Sequence, residues 1–165
     1  MELTQIAEAS AAVEDGEWVE SNILPGVSFL TRGLDSDPCR RAFQKHIKRL
    51  KWQKKKKALP HELDLLNARV LLDGATLGWR GIHDKGEELS YSKERFAELL
   101  FEDKEHRQLR TDLKLFLKAA YEAAASVGEA QLEIEEEDEK NLENSLSGAG
   151  PTAESARSGS KTAKS

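Results

Sequence analysis

Charge is sorted along this chain into two opposed blocks, and the sorting limits where a core can form. Residues 40–57 carry ten lysines or arginines and no acid, whereas residues 129–143 carry eight acids against Lys140 alone. Blocks of like charge repel themselves and stay solvated. The apolar material must therefore be gathered from the residues around them. Of the 165 residues, 38% are hydrophobic and 33% charged, which suffices for one modest core and one domain. The acidic block, and the Ser, Gly, Ala and Lys-rich residues after it, contain no aromatic side chain. Such a segment buries too little surface to offset the cost of ordering, so residues 128–165 are expected to be a disordered tail. Residues 1–15 are small and acidic without a clear period and are expected to be a flexible terminus. That leaves 16–127 as the folded domain.

No apolar run approaches the length that crosses a bilayer, and the first residues are acidic where a signal peptide would be basic and then apolar. These features predict a cytosolic protein without membrane contact. Cys39 is the sole cysteine, which rules out an intrachain disulfide and a cysteine-rich zinc site.

Within the domain, EWVES and VSFLTR flank NILPG, a pattern that predicts a β-hairpin with Trp18, Val27 and Phe29 on one buried face. Asp37 as cap and Pro38 in the first turn predict a helix whose stripe is Phe43, Ile47 and Leu50. After Pro60, HELDLLNARVLLDGATLGW resumes a helical pattern with Leu63, Leu66, Val70 and Leu71 on one side. Gly74 and Gly78 weaken its last turn, or else permit close packing. Asp84, Lys85 and Gly86 supply a reversal, and Ser92 caps a helix through Phe96, Leu99 and Leu100. Asp103 caps a further one carrying Leu109, Leu113, Phe116, Leu117, Ala120 and Tyr121. The expected fold is mainly α, about four helices with an N-terminal β-hairpin.

The chemistry-bearing patterns fail one by one. HELDL at His61 has Leu65 where a zinc helix of the HExxH type needs its second histidine. The glycines at 74, 78, 81 and 86 match neither phosphate-loop spacing. His83 and Asp84 adjoin in a turn, but a hydrolase needs a nucleophile and a pocket as well. No catalytic, cofactor-binding or metal-binding residue is assigned, and an enzyme is not expected.

The basic run is the candidate binding element, through Arg40, Arg41, Lys45, Lys48, Arg49, Trp52 and Lys55. It reads as a solvated helix face, as a contact for an acidic protein surface or for the chain's own acidic tail, or as a nucleic-acid contact with Trp52 stacking on a base. Negative net charge disfavours nucleic acid without removing it.

One longer pattern runs through LLDGATLGWRGIHDKGEELSYSKERFAELLFED, with Trp79, Gly81, Ile82, Asp84, Gly86, Leu89, Tyr91 and Ser92 followed by the Leu99 and Leu100 pair. Preceded by GEWV and the SDPCRRAFQKH segment, it resembles the tail assembly chaperones of long-tailed bacteriophages over roughly residues 16–125. The eight residues from Trp79 to Ser92 are turn, cap and core types, so the motif reads as structural rather than as an active site. The resemblance implies a non-catalytic protein of the host cytoplasm, absent from the mature virion. Its implied partners are the tape-measure protein and the major tail-tube protein, with self-association also open, and a longer frameshifted form is common in such families. The tract from Lys54 to Lys57 is more basic than the resemblance implies. It keeps open the alternative of a small nucleic-acid-binding regulator that uses the helix over residues 40–57.

Overall fold

The computed structural model describes residues 1–49 and 60–129, together with Leu132. Among them are helices α1 (Leu3–Asp15), α2 (Asp37–Ile47), α3 (Pro60–Val70), α4 (Lys93–Leu100) and α5 (Lys114–Ala125). Strands β1 (Glu17–Glu20), β2 (Ser28–Thr31) and β3 (Thr76–Arg80) form one antiparallel sheet in that order, and β4 (His83–Asp84) pairs with β5 (Glu87–Glu88) in a second. The fold is therefore mixed α/β, with five helices and two small sheets among the described residues, and not the mainly α arrangement of about four helices that the sequence predicts.

The correction has two sources. The first is β3, which the sequence reading absorbed into one long helix ending at Trp79. After Val70 the helix widens into a single π turn, Leu71–Ala75, and the chain then extends. Thr76, Leu77 and Trp79 are the β-branched, apolar and aromatic residues that suit a pleated surface. β2 pairs Phe29 with Trp79 and Leu30 with Gly78, then shifts register so that Thr31 meets Thr76 and Leu77 is the extra, bulged residue. Gly74 does permit close packing. A Cβ there would lie 2.8 Å from the Pro38 carbonyl oxygen and 2.9 Å from Cys39 Cα, so α2 crosses the π turn at backbone distance.

The second is α1, a helix over residues in which the sequence shows no clear period. Its contact stripe is Ala9 and Val13, four residues apart and too small to announce themselves as a core face. Small side chains allow a close approach instead: a Cβ on Gly33 would fall 2.8 Å from Val13 Cγ1, and one on Gly128 would fall 3.1 Å from the Ala9 carbonyl oxygen. Arg32 then clips the helix end to the π turn, donating from Nε to the Glu14 carbonyl and from Nη1 to the Gly74 carbonyl.

The hairpin of β1 and β2 forms as predicted, but its faces divide differently. Val27 and Phe29 are buried. Trp18 pairs with Leu30, on the face opposite Val19 and Phe29, and lies 44% exposed with the Arg80 guanidinium 4.2 Å above its ring. Alternation along a strand allows no other outcome once Phe29 points inward.

The core is built on aromatic rings. Trp79 makes edge-on contacts with Tyr91, Phe96 and Phe116 at centroid separations of 4.9, 5.8 and 5.6 Å. Phe116 also meets Phe29 and Phe96. Such edge-to-face pairs contribute about 0.5–1.5 kcal/mol each beyond burial. The helix carrying Phe116 starts at Lys114, eleven residues later than the predicted cap. Asp103 instead caps a loop, accepting from the Arg107 and Gln108 amides.

Candidate functional site

The segment from Trp79 to Ser92 proves to be core and turn. Lys85 and Gly86 both take positive φ, 53° and 85°, as a two-residue hairpin connection between β4 and β5 requires. Gly81, at φ 89°, is pressed so tightly that a Cβ would lie 2.1 Å from the Gly26 carbonyl oxygen. Trp79 donates from Nε1 to the Leu89 carbonyl at 2.8 Å, Leu89 N–H donates to the Ile82 carbonyl, and the Tyr91 hydroxyl donates to the Thr76 carbonyl. Ser92 accepts from the Arg95 amide and starts α4. His83 and Asp84 are exposed on the short second sheet, paired with Glu88 and Glu87. Through Trp79, Tyr91 and Ser92 the motif holds β3, the small hairpin and α4 together, while Asp84 faces outward.

α2 does the opposite. Ser36, not Asp37, is its cap: the buried Ser36 hydroxyl accepts from the Cys39 amide, while the Asp37 amide donates to the Glu14 carboxylate. Its buried face is Cys39, Ala42 and His46. The predicted stripe is thereby rotated off the core, leaving Phe43 44% exposed and Ile47 partly so. Leu50 lies outside the described residues. Small Ala42 and the backbone approach at Gly74 decide the rotation, since a phenylalanine facing the π turn would not fit there. Of the predicted binding residues, Arg40, Arg41, Lys45, Lys48 and Arg49 are all exposed on this helix or just past its end. Trp52 and Lys55 lie outside the described residues. Among the described residues Lys45 is the one of the five within ion-pair distance of an acid, 3.7 Å from Asp73. α3 packs beside α2 and leaves Leu63 44% exposed, so the paired helices show both cationic and apolar side chains.

Two clusters here were not legible in the sequence. His46 is buried with its Nε2 on Asp73 Oδ2 at 2.5 Å, and Lys93 Nζ reaches Asp73 Oδ1 at 3.1 Å. Burial pushes the His46 pKa below its ordinary value against the pull of Asp73. Burial would raise the Asp73 pKa, but hydrogen bonds from His46 and Lys93 prevail and hold it below the usual carboxylate value. A neutral imidazole that donates from Nε2 leaves Nδ1 as a buried acceptor with no partner, which costs less than the buried unpaired donor of a protonated ring. The pair has the chemistry of an oriented base, but the ring is sealed inside the helix packing. It locks α2 to the π turn and to α4.

The other cluster joins Arg49 past the end of α2, Arg69 in the last turn of α3, and Arg107 in the loop before α5, around a cavity of about 430 Å³ also lined by Leu65 and Glu105. Arg69 donates from Nε and Nη2 to the His106 carbonyl at 3.2 and 2.7 Å, and His106, at φ 58°, stacks on Phe101. Nothing in the spacing of residues 49, 69 and 107 forecasts their meeting. Among the described residues no three His, Cys, Asp or Glu side chains gather as a metal site, and no helix is long and apolar enough to cross a membrane. No protein-family model, curated protein or solved structure matches the chain.

Proposed function

We propose that this chain is a non-catalytic binding protein of bacteriophage tail assembly, acting in the host cytoplasm. In this reading it holds the tape-measure protein soluble and helps to recruit tail-tube subunits. The observation that carries the proposal is the surface of α2 and α3. Phe43 on α2 and Leu63 on α3 stay exposed, and Arg40, Arg41, Lys45, Lys48 and Arg49 are exposed on α2 or just past its end. A long helix with an apolar stripe needs a partner surface, and this one offers apolar contact with cations that would complement an acidic flank. The resemblance of the segment around Trp79 to Ser92 supplies the assembly context. The packing of that segment adds that its role is to set the helices in place.

The test is affinity capture of the tagged full chain from nuclease-treated lysate of its producing cells, with mass spectrometry of what is retained. Recovery of a very long helical protein or a tail-tube subunit, lost in the Phe43→Asp, Leu63→Asp double variant, is the expected result. The same five cations favour a second reading, a nucleic-acid-binding regulator. If capture retains neither tail protein, while untreated lysate yields nucleic acid whose binding weakens steeply from 50 to 200 mM salt, the regulator reading replaces the first.

A further inference from the structure

We infer that Arg49, Arg69 and Arg107 form a binding site for an oxyanion of the phosphate class, either the free ion or a phosphate monoester. The site does not rest on the tail-assembly reading and stands or falls apart from it. Three guanidiniums line one cavity, and among the described residues none of them has a carboxylate within ion-pair distance. Convergent cations in that state repel one another, and bringing an anion between them removes the repulsion. Consistent with this, burial lowers the Arg69 pKa first, and the fields of Arg49 and Arg107 lower it further against the opposing field of Asp103.

Geometry favours an oxyanion over a diffuse counterion. A guanidinium has five N–H donors, and Arg69 uses one from Nε and one from Nη2 on the His106 carbonyl, leaving the rest for a ligand. That bond also fixes the guanidinium plane, so little side-chain freedom is lost when the ligand arrives. Arg49 and Arg107 reach in from two other elements and supply forked donors suited to the tetrahedral oxygens of phosphate. Leu65 forms an apolar wall, and the volume of about 430 Å³ admits a phosphate with a small organic group attached. Among the described residues Glu105 is the opposing charge in the lining, and the Asp103 carboxylate, which accepts from the Arg107 amide, adds a second anion nearby, so three guanidiniums still outnumber the acids.

The experiment is a heteronuclear NMR titration of the full chain with inorganic phosphate and, separately, with phenyl phosphate, at constant ionic strength set by chloride. Saturable shifts of the Arg69 Nε–H and of the amides of residues 105–107 are expected, with at least a tenfold loss of affinity in Arg107→Gln and in Arg49→Gln. Both variants alter exposed side chains, and the intact Arg69 to His106 bond keeps the loop in place. Glu105→Gln is expected to tighten binding several-fold. Equal affinity for the two probes points to the free ion, and tighter binding of the ester points to a phosphorylated ligand. Shifts that fail to saturate and match those from chloride, or affinity that is unchanged in both arginine variants, would overturn the site.

Discussion

The stretch from Trp79 to Ser92 and the helix α2 are both rich in residues that suggest function, yet the fold treats them in opposite ways. In the first, rings and hydrogen bonds point inward, and even the glycines are committed to backbone contact or to positive φ. In the second, small side chains take the inward face and the large and charged ones stay outside. Residue type alone does not separate a site from a scaffold; what separates them is whether side-chain donors, rings and charges are already satisfied by the chain itself.

The contrast breaks most visibly at the two tryptophans. Trp79→Ala removes the ring on which Tyr91, Phe96 and Phe116 converge and is expected to cost about 3–5 kcal/mol. Trp18→Ala, on the open face of the sheet, is expected to cost less than about 1 kcal/mol. Urea denaturation of the two variants checks the difference, and equal losses would mean that the sheet is packed on both faces. Next in size are the glycines. Gly81→Ala sets a Cβ against the Gly26 carbonyl and forces a positive φ, for an expected loss of about 2–4 kcal/mol. Gly86→Ala has the same sign of φ but open space around it, and about 1 kcal/mol is expected.

The His46 lock predicts a pH profile. Because the folded pKa lies below the ordinary 6.5, the unfolded chain binds more protons in the window beneath that value, so stability falls as pH drops through 6.5 toward the folded pKa. Asp73, held below its ordinary 3.8, contributes stability above that value that is lost on further acidification. Thermal melts of His46→Gln are expected to show the upper part of this slope flattened. The smallest effects belong to the exposed cations. Arg40→Ala, Arg41→Ala and Lys48→Ala are each expected to shift stability by no more than about 0.5 kcal/mol while weakening partner capture, which calorimetry and the affinity assay read separately.

What was legible in the sequence is what local chemistry controls. The hairpin, the Lys85 and Gly86 reversal, the Ser92 cap and the burial of Phe96 and Leu100 all follow from residues close to one another. The misses share a different cause. β3 exists because β2 offers an edge forty-odd residues away, and TLGWR therefore extends where its preceding pattern is helical. α1 docks through alanine and valine against glycines at 33 and 128, a contact that no periodicity of large side chains could announce. Of the candidate binding residues, the exposure of Arg40 to Arg49 was foreseeable from charge. Arg69 and Arg107 joined them only through the packing of α3 against the loop before α5.

The strand order carries a consequence for the chain as it is made. β2 is the middle strand, but its second neighbour, β3, is encoded after α2 and α3, with 48 residues between Thr31 and Arg80. At roughly 5–20 residues per second of synthesis, β2 waits about 2–10 s with one edge bare, an opportunity for another nascent strand to pair with it. Phe29 lies on that strand without Trp79 or Phe116 to cover it until still later. The last ring of the aromatic cluster to arrive, Phe116 on α5, is the one that closes over Phe29 and Trp79, so a ribosome stalled before residue 116 would carry a sheet without its lid.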